Sequence, residues 1–217
     1  MKTVFNSSVL FLALILCSNI DLWASDEKYV AAMTKNIQAV YKATSVKELQ
    51  EVVHAFSRIA STEKTKWEPY YYAAFGNIQM ANFEQNSGTK DNCLDEALAL
   101  INKAKEILPN SSEILSLEGF VHMIRIGIDP QSRGQEYSGL AMQSLGKAIE
   151  LDPNNPRALA LMAQMQYGSA KFFGSSTSEA CATNAAALQK FSTFKSDNPV
   201  APTWGKQMSE KLATECK

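Results

Sequence analysis

Lys147-Ala148-Ile149-Glu150-Leu151-Asp152-Pro153-Asn154-Asn155-Pro156 holds the end of one helix and the start of the next. Ala148 closes a set, Ala141-x3-Leu145-x2-Ala148, whose i, i+4 and i+7 members share one helical face. Pro153 cannot continue the hydrogen-bond ladder, so the helix stops before it. Pro156 suits the first turn of a new helix, where its missing N–H is not needed.

The same spacing recurs upstream in Ala97-x3-Ile101-x2-Ala104-x4-Pro109 and downstream in Ala187-x3-Phe191-x2-Phe194-x4-Pro199. The restart recurs as well. Ser112, Pro156 and Pro202 each stand three residues after a stop, and Pro69 opens a further unit 43 residues before Ser112. Seven positions into each new helix the residue is small: Gly76, Gly119, Ala163 and Ser209. Small residues at such places let two helix backbones approach closely. The pattern predicts an all-α chain of antiparallel helical hairpins, about nine helices in all, with unit starts 43, 44 and 46 residues apart.

This arrangement resembles the tetratricopeptide repeat, a helix-turn-helix unit with a small residue in mid helix A and Ala, a large apolar residue, Ala and a terminal Pro along helix B. The resemblance spans residues 69–216 and is densest in the decapeptide quoted above. It implies a right-handed α-solenoid whose helix A residues line a groove: Tyr70, Asn77 and Met80, then Glu113, Phe120 and Met123, then Arg157, Gln164 and Tyr167. A lining of that kind suits a protein or peptide partner.

The departures mark a divergent branch. A standard unit has about 34 residues, and Phe194 stands where the second Ala of the third unit belongs. The extra length falls at 83–92 (FEQNSGTKDN), 127–137 (GIDPQSRGQEY) and 168–178 (GSAKFFGSSTS), rich in Gly, Ser, Asn and Asp and therefore read as loops. Each joins helix A to helix B of its own unit, so the three inserts are expected to stack as a rim beside the groove.

Residues 1–24 read as a secretory leader: Lys2, an apolar run from Val9 to Cys17, and a cleavage site near Ala24. That run is too short to span a membrane. Residues 25–68 are expected to form an N-terminal capping hairpin, helical over 26–42 and 46–61, with Ser45 and Glu48 as a capping box. Residues 69–217 then hold three units and a C-terminal capping helix, continuous with the hairpin as one domain.

With 21 Lys+Arg against 22 Asp+Glu, the net charge of −1 gives no electrostatic ground for a nucleic-acid partner. The two histidines, His54 and His122, lack a second ligand at metal spacing, and no nucleophile elbow, phosphate loop or zinc-protease motif is present. No cofactor is expected. Cys181 and Cys216 lie at equal distances on either side of a turn near residue 198, which puts them level on two antiparallel helices. They form either a disulfide, contributing about 3 kcal/mol, or two buried thiols.

The reading is an exported, non-enzymatic scaffold, periplasmic or secreted, that binds a protein or peptide segment in the cell envelope. The alternative is a small-molecule binder or enzyme whose site is built from the inserts, with Arg133, Tyr137, Lys171 and Phe172 as candidates. An arginine and a lysine on neighbouring inserts supply the chemistry to hold a carboxylate or phosphate.

Overall fold

Ser45 sits in extended conformation before Val46, and its Oγ accepts the Glu48 N–H at 3.3 Å. The Glu48 carboxylate reaches back past Ser45 to accept the Thr44 N–H at 2.7 Å, so the box closes one residue further out than its sequence form. That bond holds the Glu48 carboxyl below its usual pKa. Such local signals set most of the element boundaries in the computed structural model, which describes residues 26–216. The leader read at 1–24 lies outside the described residues.

The described residues form nine helices and no strand. They are α1 (26–42), α2 (Val46–Thr62), α3 (Glu68–Phe83), α4 (Ser87–Ile107), α5 (Ser112–Ile128), α6 (Pro130–Leu151), α7 (Pro156–Phe173), α8 (Ser178–Thr193) and α9 (Lys206–Glu215). Consecutive helices pack as antiparallel neighbours. Helices α3, α5, α7 and α9 touch in series and make one layer, while α4, α6 and α8 form the other and pack on that layer rather than on one another. None of the helices is long and apolar enough to cross a membrane.

The restarts are where the repeat places them. Asn155 Oδ1 accepts the Arg157 and Ala158 N–H groups at 2.9 and 3.3 Å, with Pro156 in the first turn of α7. Its Nδ2 donates to Ser112 Oγ at 2.9 Å, and Ser112 Oγ donates to the Ala148 carbonyl at 2.8 Å, tying successive units at equivalent positions. The repeated small residues lie at helix crossings. A Cβ on Gly76 would fall 2.5 Å from Val53, and one on Gly119 would fall 2.7 Å from Leu145. Ala163 and Ser209 are fully buried.

Two expectations are corrected. The inserts are not loops. Around the three inserts the chain leaves helix only at 84–86, at Asp129 and at 174–177, so the added residues lengthen α4, α6 and α7. Caps explain this: Asn86 Oδ1 takes the Thr89 N–H at 3.0 Å, Asp129 takes the Ser132 N–H at 3.3 Å before Pro130, and Gly174 closes α7 in left-handed conformation at φ 65°. The third unit also loses its register after Thr193. Phe194 is extended, Pro199 lies in the strap described below, and the last helix begins at Lys206 instead of 202 because Gly205 adopts φ 105°.

Candidate functional site

Residues 194–205 run as a strap across the layer of α3, α5 and α7. Asn198 Nδ2 donates to Glu68 Oε1 at 2.8 Å, and the Tyr72 hydroxyl donates to the Val200 carbonyl at 2.8 Å. The Thr203 N–H donates to the Tyr41 hydroxyl at 3.2 Å. The Trp204 ring lies between Phe75 and Phe120, with centroids 5.3 and 5.6 Å away, and its Nε1–H donates to the Tyr71 hydroxyl at 2.9 Å. Burial pushes the Tyr71 and Tyr72 hydroxyls far above their usual pKa, so both stay protonated and able to donate. The strap ends at Gly205, against Arg157 and Phe191.

This peptide covers much of the surface assigned to a partner. Asn77 and Met80 are buried, and Asn77 Nδ2 donates within its own helix to the Ala73 carbonyl. Tyr70 is half-buried against the core and is followed by the fully buried Tyr71 and Tyr72. Arg157 is fully buried, paired through its Nε and Nη2 with Glu113 and lying 4.5 Å below the Phe194 ring. Phe120 packs on Trp204. Tyr167 is half-buried on α7.

The residues nominated on the inserts divide between two faces of α6 and α7. Arg133 makes a two-pronged contact with Asp91 of α4, at 2.7 and 2.8 Å, and Arg125 of α5 shares Asp91 while also contacting Asp95. Both guanidiniums hold the Asp91 carboxyl below its usual pKa, Arg133 first by direct hydrogen bonding. Tyr137 stacks on His122, centroids 6.0 Å apart, with the Arg125 guanidinium 5.5 Å from its ring. Arg133 and Tyr137 therefore bind α6 to α4 and α5 instead of forming a rim with Lys171, which is exposed. On α8 and after α9, the Cys181 and Cys216 sulfurs are bonded, with Cα atoms 5.6 Å apart.

The opposite face of α6 borders an open cleft of about 680 Å³ between α5, the start of α6 and the end of α7. Met123, Gln164 and Phe172 from the nominated residues meet there, joined by Ile126, Met165 and Phe173. Gly127, Gly134 and Gly168 form bare backbone wall, and a Cβ on any of them would meet nothing within 4 Å. Phe172 and Phe173 stand at the end of α7, edge to face and 69% and 77% exposed, far more than any other large apolar side chain described. The remaining lining is Pro130 with uncharged Gln and Ser side chains. Its volume and mostly apolar lining are those of small-molecule sites.

The chain is similar to the HusA haemophore from Porphyromonas gingivalis. That solved structure superposes with a TM-score of 0.78 and 28% sequence identity, over 87% of this chain and 92% of the haemophore chain. No protein-family description matches the chain, and no curated protein does. The likeness covers both helical layers and ties the fold to a ligand-carrying protein, so the tetratricopeptide resemblance rests on the repeated pattern alone.

The cleft is not legible in the sequence because its clearest markers, Gly127, Pro130, Gly134 and Gly168, have the composition of loops. Once α6 and α7 are helical, the same glycines leave bare backbone along the cleft, one each on α5, α6 and α7. An available signal was Phe172-Phe173, two adjacent aromatics next to a helix-terminating glycine.

Proposed function

We propose that the protein is an exported carrier of a flat, largely apolar ligand, with haem as the first candidate, held in the cleft between α5, α6 and α7. One observation carries the reading: an uncharged, glycine-walled cleft of about 680 Å³ with two exposed phenylalanines at its edge, in a chain that resembles a haemophore. Volume and lining fall within the range of small-molecule sites. The scaffold reading is weaker, because residues 198–204 already occupy the inner surface over α3.

The donor set defines how haem fits. The lining contains no His, Cys or Tyr, and only the Met123 and Met165 thioethers are soft donors. His122 is stacked on Tyr137 and His54 is exposed on α2. Affinity then comes from burying the ring face against Met, Ile, Phe and glycine backbone, and a metal-free porphyrin is expected to bind within a few-fold of haem.

The test is a haemin titration of the mature protein, followed by visible absorbance, with Gly168→Leu and Tyr70→Ala variants. Gly168 has space for the new side chain, so Gly168→Leu is expected to fold and to lose tenfold or more in affinity, while Tyr70→Ala binds as the parent. Absence of binding at micromolar haemin, or unchanged affinity in Gly168→Leu, overturns the reading.

A further inference from the structure

We infer that the cleft recognises the face of its ligand and not its acid groups, so that the ligand class extends to tetrapyrroles whose carboxylates are masked; this rests on the carrier reading above. None of the 14 residues lining the cleft is charged. The helices walling it, α5, α6 and α7, carry five Lys and Arg residues, and four of these are already paired. Arg125 and Arg133 are committed to Asp91 and Asp95 on the α4 side. Arg157 is buried against Glu113, and Lys147 faces Glu150 at 3.0 Å. Lys171 remains, exposed to water beside Phe172.

A carboxylate drawn into this space would be stripped of water without a cation to receive it, which is strongly unfavourable. The acid-bearing edge of a haem-like ligand therefore stays in solvent, and the opposite edge enters between the Met123–Ile126 side and the Phe172–Phe173 side. Gln131, Gln135 and Gln164 offer neutral amides, which pair with an ester carbonyl as they do with a carboxylate oxygen. Lys171, exposed and screened by water, adds little to either form. Selection in this cleft is by shape and apolar area, and the charged edge is left free for whatever receives the ligand next.

The experiment compares protoporphyrin IX with its dimethyl ester by fluorescence titration of the mature protein, in the same low concentration of non-ionic detergent and at low and high salt. Lys171→Glu is titrated alongside. The expected result is that acid and ester bind within about threefold of each other, that salt changes the acid's affinity by less than about twofold, and that Lys171→Glu leaves both within about threefold. Loss of the ester by tenfold or more while the acid still binds overturns this inference and leaves the carrier reading standing. So does a tenfold loss of the acid alone in Lys171→Glu. Failure of both probes to bind overturns the carrier reading and the inference with it.

Discussion

His122 shows how one buried side chain couples stability to pH. It is 8% exposed, stacked on Tyr137, and its Nδ1 has no hydrogen-bond partner. Burial lowers its pKa first, opposed by Glu118 and reinforced by Arg125 and Lys105. The folded state therefore holds a neutral imidazole where the unfolded chain begins to protonate near its ordinary value of about 6.5. The stability this contributes is complete above that value and is lost as pH falls through the lowered folded pKa. Denaturant titrations between pH 7.5 and 5 are expected to show falling stability, and His122→Phe, which keeps the stack, is expected to flatten that slope. An equal slope in His122→Phe would assign the loss to other groups. Asp91 is linked to the same cluster through Arg125. Asp91→Ala strands the Arg133 guanidinium and leaves Arg125 with Asp95 alone, and since Asp91 is partly exposed the expected cost is about 1–3 kcal/mol, read as a drop in denaturation midpoint.

Glycines divide the helices into two kinds of surface. On α5, a Cβ at Gly119 would stand 2.7 and 2.8 Å from Leu145 atoms of α6, whose side chain is fully buried. Gly119→Ala is expected to cost about 1–3 kcal/mol through overpacking. On α6, Gly134 faces open space, and Gly134→Ala is expected to raise stability by about 0.5–1 kcal/mol by favouring helix. Thermal melts of the two variants should move in opposite directions, and a shared direction would mean that α5 and α6 cross elsewhere. The sequence made the first kind legible and not the second. Gly76 and Gly119 recur at a fixed place seven positions into their helices, and a repeated spacing is a signal of contact. Gly127, Gly134 and Gly168 sit in stretches that do not repeat, and turn-forming composition outweighed the caps at Asn86 and Asp129 that keep those stretches helical. The cleft is hidden for that reason, although Met123, Gln164 and Phe172 each stand out as candidate site residues. The strap was hidden because Pro202 imitates the helix-opening prolines, while Trp204 binds by contacts some 130 residues away that no local pattern encodes.

Across the whole molecule, the helical layers are closed by contacts between distant parts of the chain. Tyr72 and Val200 are 128 residues apart in sequence, and Trp204 joins α3 to α5 through Phe75 and Phe120. The Cys181–Cys216 bond encloses the strap in a loop with a sequence separation of 35. A loop of that size restricts the unfolded chain by about 3–4 kcal/mol, so reduction is expected to lower the melting temperature by roughly 6–15 °C. Scanning calorimetry with and without reductant, with Cys181→Ser as a non-reducible control, checks this. An unchanged melting temperature would mean that the strap is held by its aromatic socket alone.

The closure also bears on how such a protein changes over generations. Open helical arrays lengthen and shorten by duplicating or losing units, because each unit answers only to its immediate neighbours. Here a unit copied between α4 and α7 would move the sockets for Trp204 and Asn198 away from Gly205 and its seat on Arg157, leaving the C-terminal strap too short to reach both ends. The number of units is locked by the length of twelve residues, 194–205, and this lineage is expected to diversify by rewriting the walls of one cleft rather than by adding repeats.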